Sequence, residues 1–165
     1  MSHPFNSLSI PGIKGQLIFT PCPGTQGTSL ISALETLQSA GASALISLMP
    51  SAELEANAAS EIAAQSKALG LSWFHLPVAD EQVPLADFEA NWQASEATLL
   101  GLLNDGQQIA IHCKGGSGRT GLIAARLMIA CGVPRPEAVA LVQSIRPKAI
   151  QHPAHVQWLQ QFDAR

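Results

Sequence analysis

The residues with the most chemistry to offer stand together in His112-Cys113-Lys114-Gly115-Gly116-Ser117-Gly118-Arg119-Thr120. An apolar run, Gln108 to His112, leads into this stretch, and an apolar helical pattern, Arg119 to Ala130, leads out of it. Glycines at 115, 116 and 118 allow the chain to curl with successive N–H groups facing inward. The following helix adds its free N-terminal donors and the positive end of its dipole. Such a strand–loop–helix unit cradles an anion the size of phosphate. Cys113 lies at its base, where the same donors stabilise a thiolate. Cysteines in such settings have pKa values of roughly 3.5–7.5, against about 8.5 when free, so a nucleophile at neutral pH is expected. Arg119 closes the loop with a planar fork that can take two phosphate oxygens and stabilise a transferring phosphoryl group. The Thr120 hydroxyl can donate to the Cys113 sulfur and help it leave a phospho-cysteine. The bland alternative is a glycine-rich turn over a buried cysteine. Lys114 precedes the glycines, so the stretch is not a nucleotide-triphosphatase P-loop, and it lacks the G-x-G-x-x-G of a dinucleotide site.

The elements that must position this loop follow from periodicity and breakers. Strands are expected at 16–19, 44–49, 71–78 and 108–112. Helices are expected at 29–40, 51–69 with a break near Asn57, 85–104, 119–130, from Pro136 to Ser144, and from Pro153 to Phe162. Strands alternating with helices predict an α/β fold. The expected architecture is three layers, α/β/α, around a mainly parallel sheet of four to five strands. There is no internal repeat or linker-like stretch, so residues 1–165 are expected to form one domain.

Composition narrows the function classes. Apolar residues make up 47% of the 165 residues and charged residues 13%, which excludes intrinsic disorder. No apolar run reaches membrane-span length, and residues 1–15 carry no basic-then-apolar signal pattern. Cys22, Cys113 and Cys131 are a poor disulfide framework and form no C-x-x-C pair, which fits a reducing cytoplasm and no structural zinc. The net charge of −3 hides a split: the bases concentrate beyond residue 110, and the acids lie mostly before it. That suits an anion site in the C-terminal third. With few aromatics and no tyrosine, a nucleic-acid module is not expected. His152 and His155 have the spacing of a helical metal pair, but no further ligands match, so a solvated face is the better reading and no metal or cofactor is expected.

The stretch 112–120 resembles the H-C-x5-R-[ST] phosphate loop of cysteine-dependent protein tyrosine and dual-specificity phosphatases. Thr20-Pro21-Cys22-Pro23-Gly24-Thr25, Pro77-Val78-Ala79-Asp80 and Arg146-Pro147-Lys148-Ala149-Ile150-Gln151 extend the likeness to the kinase-associated-phosphatase-like branch. The resemblance implies a dual-specificity-phosphatase-like fold, a nucleophile at Cys113 and a phosphate-binding Arg119. Lys114, Gly115, Gly116, Ser117 and Gly118 would complete the phosphate loop. It also implies an aspartate general acid on a separate loop. Asp80 is the candidate and Glu81 its rival. Gln151 falls where relatives carry a polar residue facing the pocket, and either orients water or simply enters a helix. His112 is expected to bond backbone beneath the loop. Cys22 either approaches Cys113 as a redox partner or does not. The implied substrates are phosphotyrosine, phosphoserine or phosphothreonine in proteins. Lys114 leaves a phosphoinositide or nucleotide open. A separate alternative is a phosphate-recognition module that keeps Arg119 and the cradle but has weak turnover. A monomer in the cytoplasm is expected.

Overall fold

The computed structural model describes residues 2–162. Its strands are β1 (Asn6–Ser9), β2 (Gln16–Thr20), β3 (Ala42–Ser47), β4 (Ser72–His75) and β5 (Gln108–His112). Its helices are α1 (Leu30–Ser39), α2 (Ser51–Ala56), α3 (Ile62–Ala68), α4 (Ala86–Asn104), α5 (Gly118–Ala130), α6 (Arg135–Ile145) and α7 (Pro153–Leu159), the last running into a 3-10 turn. The sheet order is β1-β2-β5-β3-β4. Only β1 is antiparallel to its neighbour.

Strand periodicity of two sorts the core into layers. Leu17, Phe19, Ala44, Ile46, Ile109 and Ile111 face a cluster with α4 to α7. Ile18, Leu45 and Ala110, the residues between them, face a second cluster with α1 to α3. With both faces covered, the three-layer α/β expectation holds.

Two differences from the sequence expectation bear on the site. β1 adds an edge strand that carries only one buried residue, Leu8. The strand expected over 71–78 is shorter, yet the chain beyond it stays tied to β3. Leu76 N–H donates to Ser47 O at 3.0 Å, and Val78 N–H to Leu48 O at 2.7 Å. The four parallel strands therefore deliver their outgoing chains to one end of the sheet, beyond the strands' C-termini, where α/β folds bind ligands.

Candidate active site

The phosphate-loop candidate leaves the end of β5 and closes into the first turn of α5. Gly116 decides its shape. Its φ is 76°, and a Cβ there would come within 2.6–2.7 Å of the Thr20 and Pro21 backbone. Gly115 and Gly118 have no such neighbours. The loop is also tied from outside, as Cys22 N–H donates to Lys114 O at 2.9 Å and Arg146 Nε–H to Gly116 O at 2.8 Å. Arg146 continues to Asn6 Oδ1 at 3.0 Å, which gives the edge strand β1 a part in holding the loop.

Cys113 is 4% exposed. Its Sγ accepts the Gly116 N–H and the Thr120 hydroxyl, each at 3.2 Å. Beneath it, Trp73 Nε1–H donates to Ser47 Oγ at 2.9 Å, and Ser47 Oγ stands 2.6 Å from His112 Nε2. Since Ser47 already accepts from Trp73, its hydroxyl is free to donate to Nε2. The Nδ1–H of His112 then donates to Cys113 O at 3.0 Å. Complete burial pushes the His112 pKa down to about 4, so the ring is a neutral brace.

Arg119 is equally buried, and its guanidinium is bracketed. Nη1 donates to Glu53 Oε1 and Val78 O, both at 2.8 Å, and Nη2 donates to Glu53 Oε2 at 2.7 Å. Burial alone would lower the Arg119 pKa. The Glu53 carboxylate, with smaller contributions from Cys113 and Asp80, more than reverses this and holds it above the ordinary arginine value. Of the five guanidinium N–H groups, Nε–H and one Nη2–H are left for an anion. Glu53, in the first turn of α2, carries no sequence signal for this role. A carboxylate in a first helical turn looks like dipole compensation, and nothing local points to an arginine 66 residues away in the chain.

Asp80 lies across the opening, with Oδ1 3.5 Å from Arg119 Nη2 and a side chain 68% exposed. Thr25, Gln26, Asp80, Cys113, Lys114, Gly115, Ser117, Gly118 and Arg119 line a single cavity of about 460 Å³. Glu81, the rival acid, is not in that lining. Neither is Gln151, whose side-chain amide instead donates to Pro147 O at 2.7 Å in the turn before α7. The helix-entry alternative for Gln151 is therefore the one this geometry matches. Cys22 is an unpaired thiol. Burial, then the charges of Glu53 and Cys113, push its pKa up to about 12, which makes it a poor attacking group. Among the described residues, no group of three metal-ligand side chains is assembled. No helix among them is long and apolar enough to cross a membrane.

Residues 28–165 match the family model described as Swiss Army Knife protein, DSP-PTPase phosphatase domain. The chain belongs to that family. Over 59 residues it is 42% identical to the tyrosine-protein phosphatase CDC14 of Candida albicans, a match spanning 35% of this chain but only 11% of that protein. Among solved structures, a kinase-associated phosphatase with its catalytic-site cysteine replaced by serine superposes with a TM-score of 0.86. Identity there is 22%, covering 98% of this chain and 94% of that one. The active form of Tk-PTP gives 0.71 at 19% identity, covering 96% and 97%. The dual-specificity phosphatase fold expected from the loop and its flanking segments is thus the fold of this chain.

Proposed function

We propose that this phosphatase domain hydrolyses phosphate monoesters through a phospho-cysteine. The observation that carries the reading is the Cys113 sulfur, accepting two hydrogen bonds, in the lining of a cavity that also holds the Arg119 fork and the Asp80 carboxylate. Cys113 thiolate attacks phosphorus in line, and Asp80, as the acid, gives its proton to the departing oxygen. Arg119 and the loop N–H groups hold the equatorial oxygens. Water then attacks the phospho-cysteine and yields its proton to Asp80. The S–P bond breaks, and the Thr120 hydroxyl stabilises the returning thiolate. The cradle supplies the positive charge, so the reaction is expected to run in EDTA.

The substrate reading is a phosphorylated protein, on tyrosine, serine or threonine. A non-protein phosphomonoester is the second reading. It is favoured by a rim of Thr25, Gln26 and the exposed Lys114, with no aromatic side chain in the lining. A phosphate-recognition module without turnover is disfavoured by the presence of Asp80 in the same cavity as Cys113.

The test is hydrolysis of p-nitrophenyl phosphate and phenyl phosphate in EDTA by wild type and Asp80→Asn. Wild type should turn over both, and a rapid acid quench should trap phosphate on the protein. Asp80→Asn should lose roughly 10²–10³-fold in kcat/KM on phenyl phosphate, whose poor leaving group needs the proton most. An absolute requirement for Mg²⁺, or turnover with no trapped phospho-enzyme at any time, would show the mechanism to be wrong.

A further inference from the structure

Asp80 is held in place by the backbone on either side of it, because its side chain is largely exposed and its one partner among the described residues is Arg119. On the upstream side Val78 is fixed twice. Its N–H donates to Leu48 O at 2.7 Å, and its carbonyl accepts from Arg119 at 2.8 Å. On the downstream side the chain doubles back. Gln82 N–H donates to Ala79 O at 3.1 Å, closing a turn with Asp80 and Glu81 at its centre. Glu81 has φ 61°, left-handed backbone that a non-glycine residue seldom adopts, so this turn needs something outside itself to hold it.

Beyond it Val83 packs against the main core, and among the described residues the one hydrogen bond to the turn from another element comes from His155. Its Nε2–H donates to Gln82 O at 3.1 Å, from the first turns of α7. α7 is itself well seated, since Trp158 packs edge-on against Phe88 of α4 with ring centroids 6.2 Å apart. His152, three residues earlier and expected with His155 to lie on a solvated face, accepts the Ala154 N–H at Nδ1 and caps the helix. The two histidines therefore have separate uses, one in capping α7 and one in holding the loop that carries Asp80. Burial lowers the His155 pKa below its ordinary value, in keeping with a neutral ring whose proton sits on Nε2 toward the carbonyl.

We propose that His155 is a positioning residue for proton transfer. By holding the Gln82 carbonyl it keeps Asp80 over the mouth of the cavity, facing the leaving oxygen. The inference rests on Asp80 being the general acid. Releasing the loop on this side leaves Cys113, the cradle and the Glu53–Arg119 pair in place. Attack on an ester with a good leaving group is then spared, and attack on one with a poor leaving group is not.

The experiment measures kcat/KM along a series of substituted phenyl phosphates, from p-nitrophenol to phenol, whose pKa is about 10. It compares wild type, Asp80→Asn, His155→Ala, His155→Phe and His155→Gln, each checked by thermal denaturation. His155→Ala and His155→Phe should lose roughly 10–10²-fold on phenyl phosphate and at least tenfold less on p-nitrophenyl phosphate. Their leaving-group dependence should steepen in the direction of Asp80→Asn, with inhibition by inorganic phosphate unchanged. His155→Gln, whose amide N–H reaches the same carbonyl, should restore the wild-type slope. His155→Phe keeps the packing without the donor, so it decides the matter should His155→Ala fail to fold. Equal losses on every substrate, or no change on any, would overturn the proposal. A wild-type slope that Asp80→Asn leaves untouched would overturn the acid assignment, and the role of His155 with it.

Discussion

Cys113→Ser should abolish turnover, lowering kcat/KM by roughly 10⁴-fold or more, while leaving the fold and the anion site intact. The two halves of this expectation have separate causes. The change replaces one atom at a 4% exposed position, and the serine oxygen can accept the same two hydrogen bonds from Gly116 N–H and Thr120. Nothing in the packing is lost, and the Gly116 turn against Thr20–Pro21 does not depend on sulfur. Inorganic phosphate should therefore bind as well as to wild type, because the loop N–H groups and Arg119 that would hold it are unchanged. The chemistry has no such substitute. A thiol ionises near pH 8.5 even unaided, whereas a serine hydroxyl needs an adjacent general base. The adjacent His112 cannot supply one. Its nitrogens are bound to Ser47 and the Cys113 carbonyl, and burial holds its pKa near 4. Calorimetry with phosphate alongside p-nitrophenyl phosphate turnover measures both halves. Equal turnover in mutant and wild type would place the activity elsewhere.

The centre of this arrangement was legible because it is local. A strand, a glycine-rich loop and a helix are contiguous in sequence, and the apolar runs on either side set their order. The place of the loop that carries Asp80 was legible for a related reason, since Asp80 follows β4 and parallel strands send their C-terminal ends to one end of the sheet. What the sequence withheld is what depends on contacts between distant segments. β1 shows no alternation because only Leu8 of its four residues is buried, so an edge strand reads as a polar leader. The glycines at 115, 116 and 118 look equivalent in the sequence. Only at Gly116 do a positive φ and the close approach of Thr20 make the absence of a side chain necessary. Arg146 stood in a recognisable segment, but its grip on Gly116 O and Asn6 joins three parts of the chain that no spacing connects. His155 was legible as a histidine at metal spacing, and its actual partner is a backbone carbonyl, which carries no sequence signature at all.

Glu53 is the sharpest instance, since its partner Arg119 lies 66 residues away in the chain. A carboxylate beside the arginine proposed to bind phosphate can do two opposite things. It cancels charge, which weakens attraction for an anion. It also fixes the plane of the guanidinium, which directs Nε–H and the remaining Nη2–H at the cavity. The geometry favours orientation. The pair is two-pronged at 2.7 and 2.8 Å, Arg119 is 4% exposed and Glu53 21%, and Val78 O takes the other Nη1 proton. An arginine so bracketed has almost no freedom to lose when phosphate binds. Arg119→Lys should then cost roughly 10³-fold in kcat/KM, about 4 kcal/mol at 1.36 kcal/mol per decade, because a point charge cannot serve the two-pronged Glu53 pair and the anion together. Glu53→Gln should cost less, roughly 10–10²-fold, and should weaken inhibition by phosphate as Arg119 gains alternative orientations. If charge cancellation were the larger effect, Glu53→Gln would bind phosphate more tightly than wild type. The sign of the change in phosphate inhibition therefore decides between the two roles, independently of the size of the loss in rate.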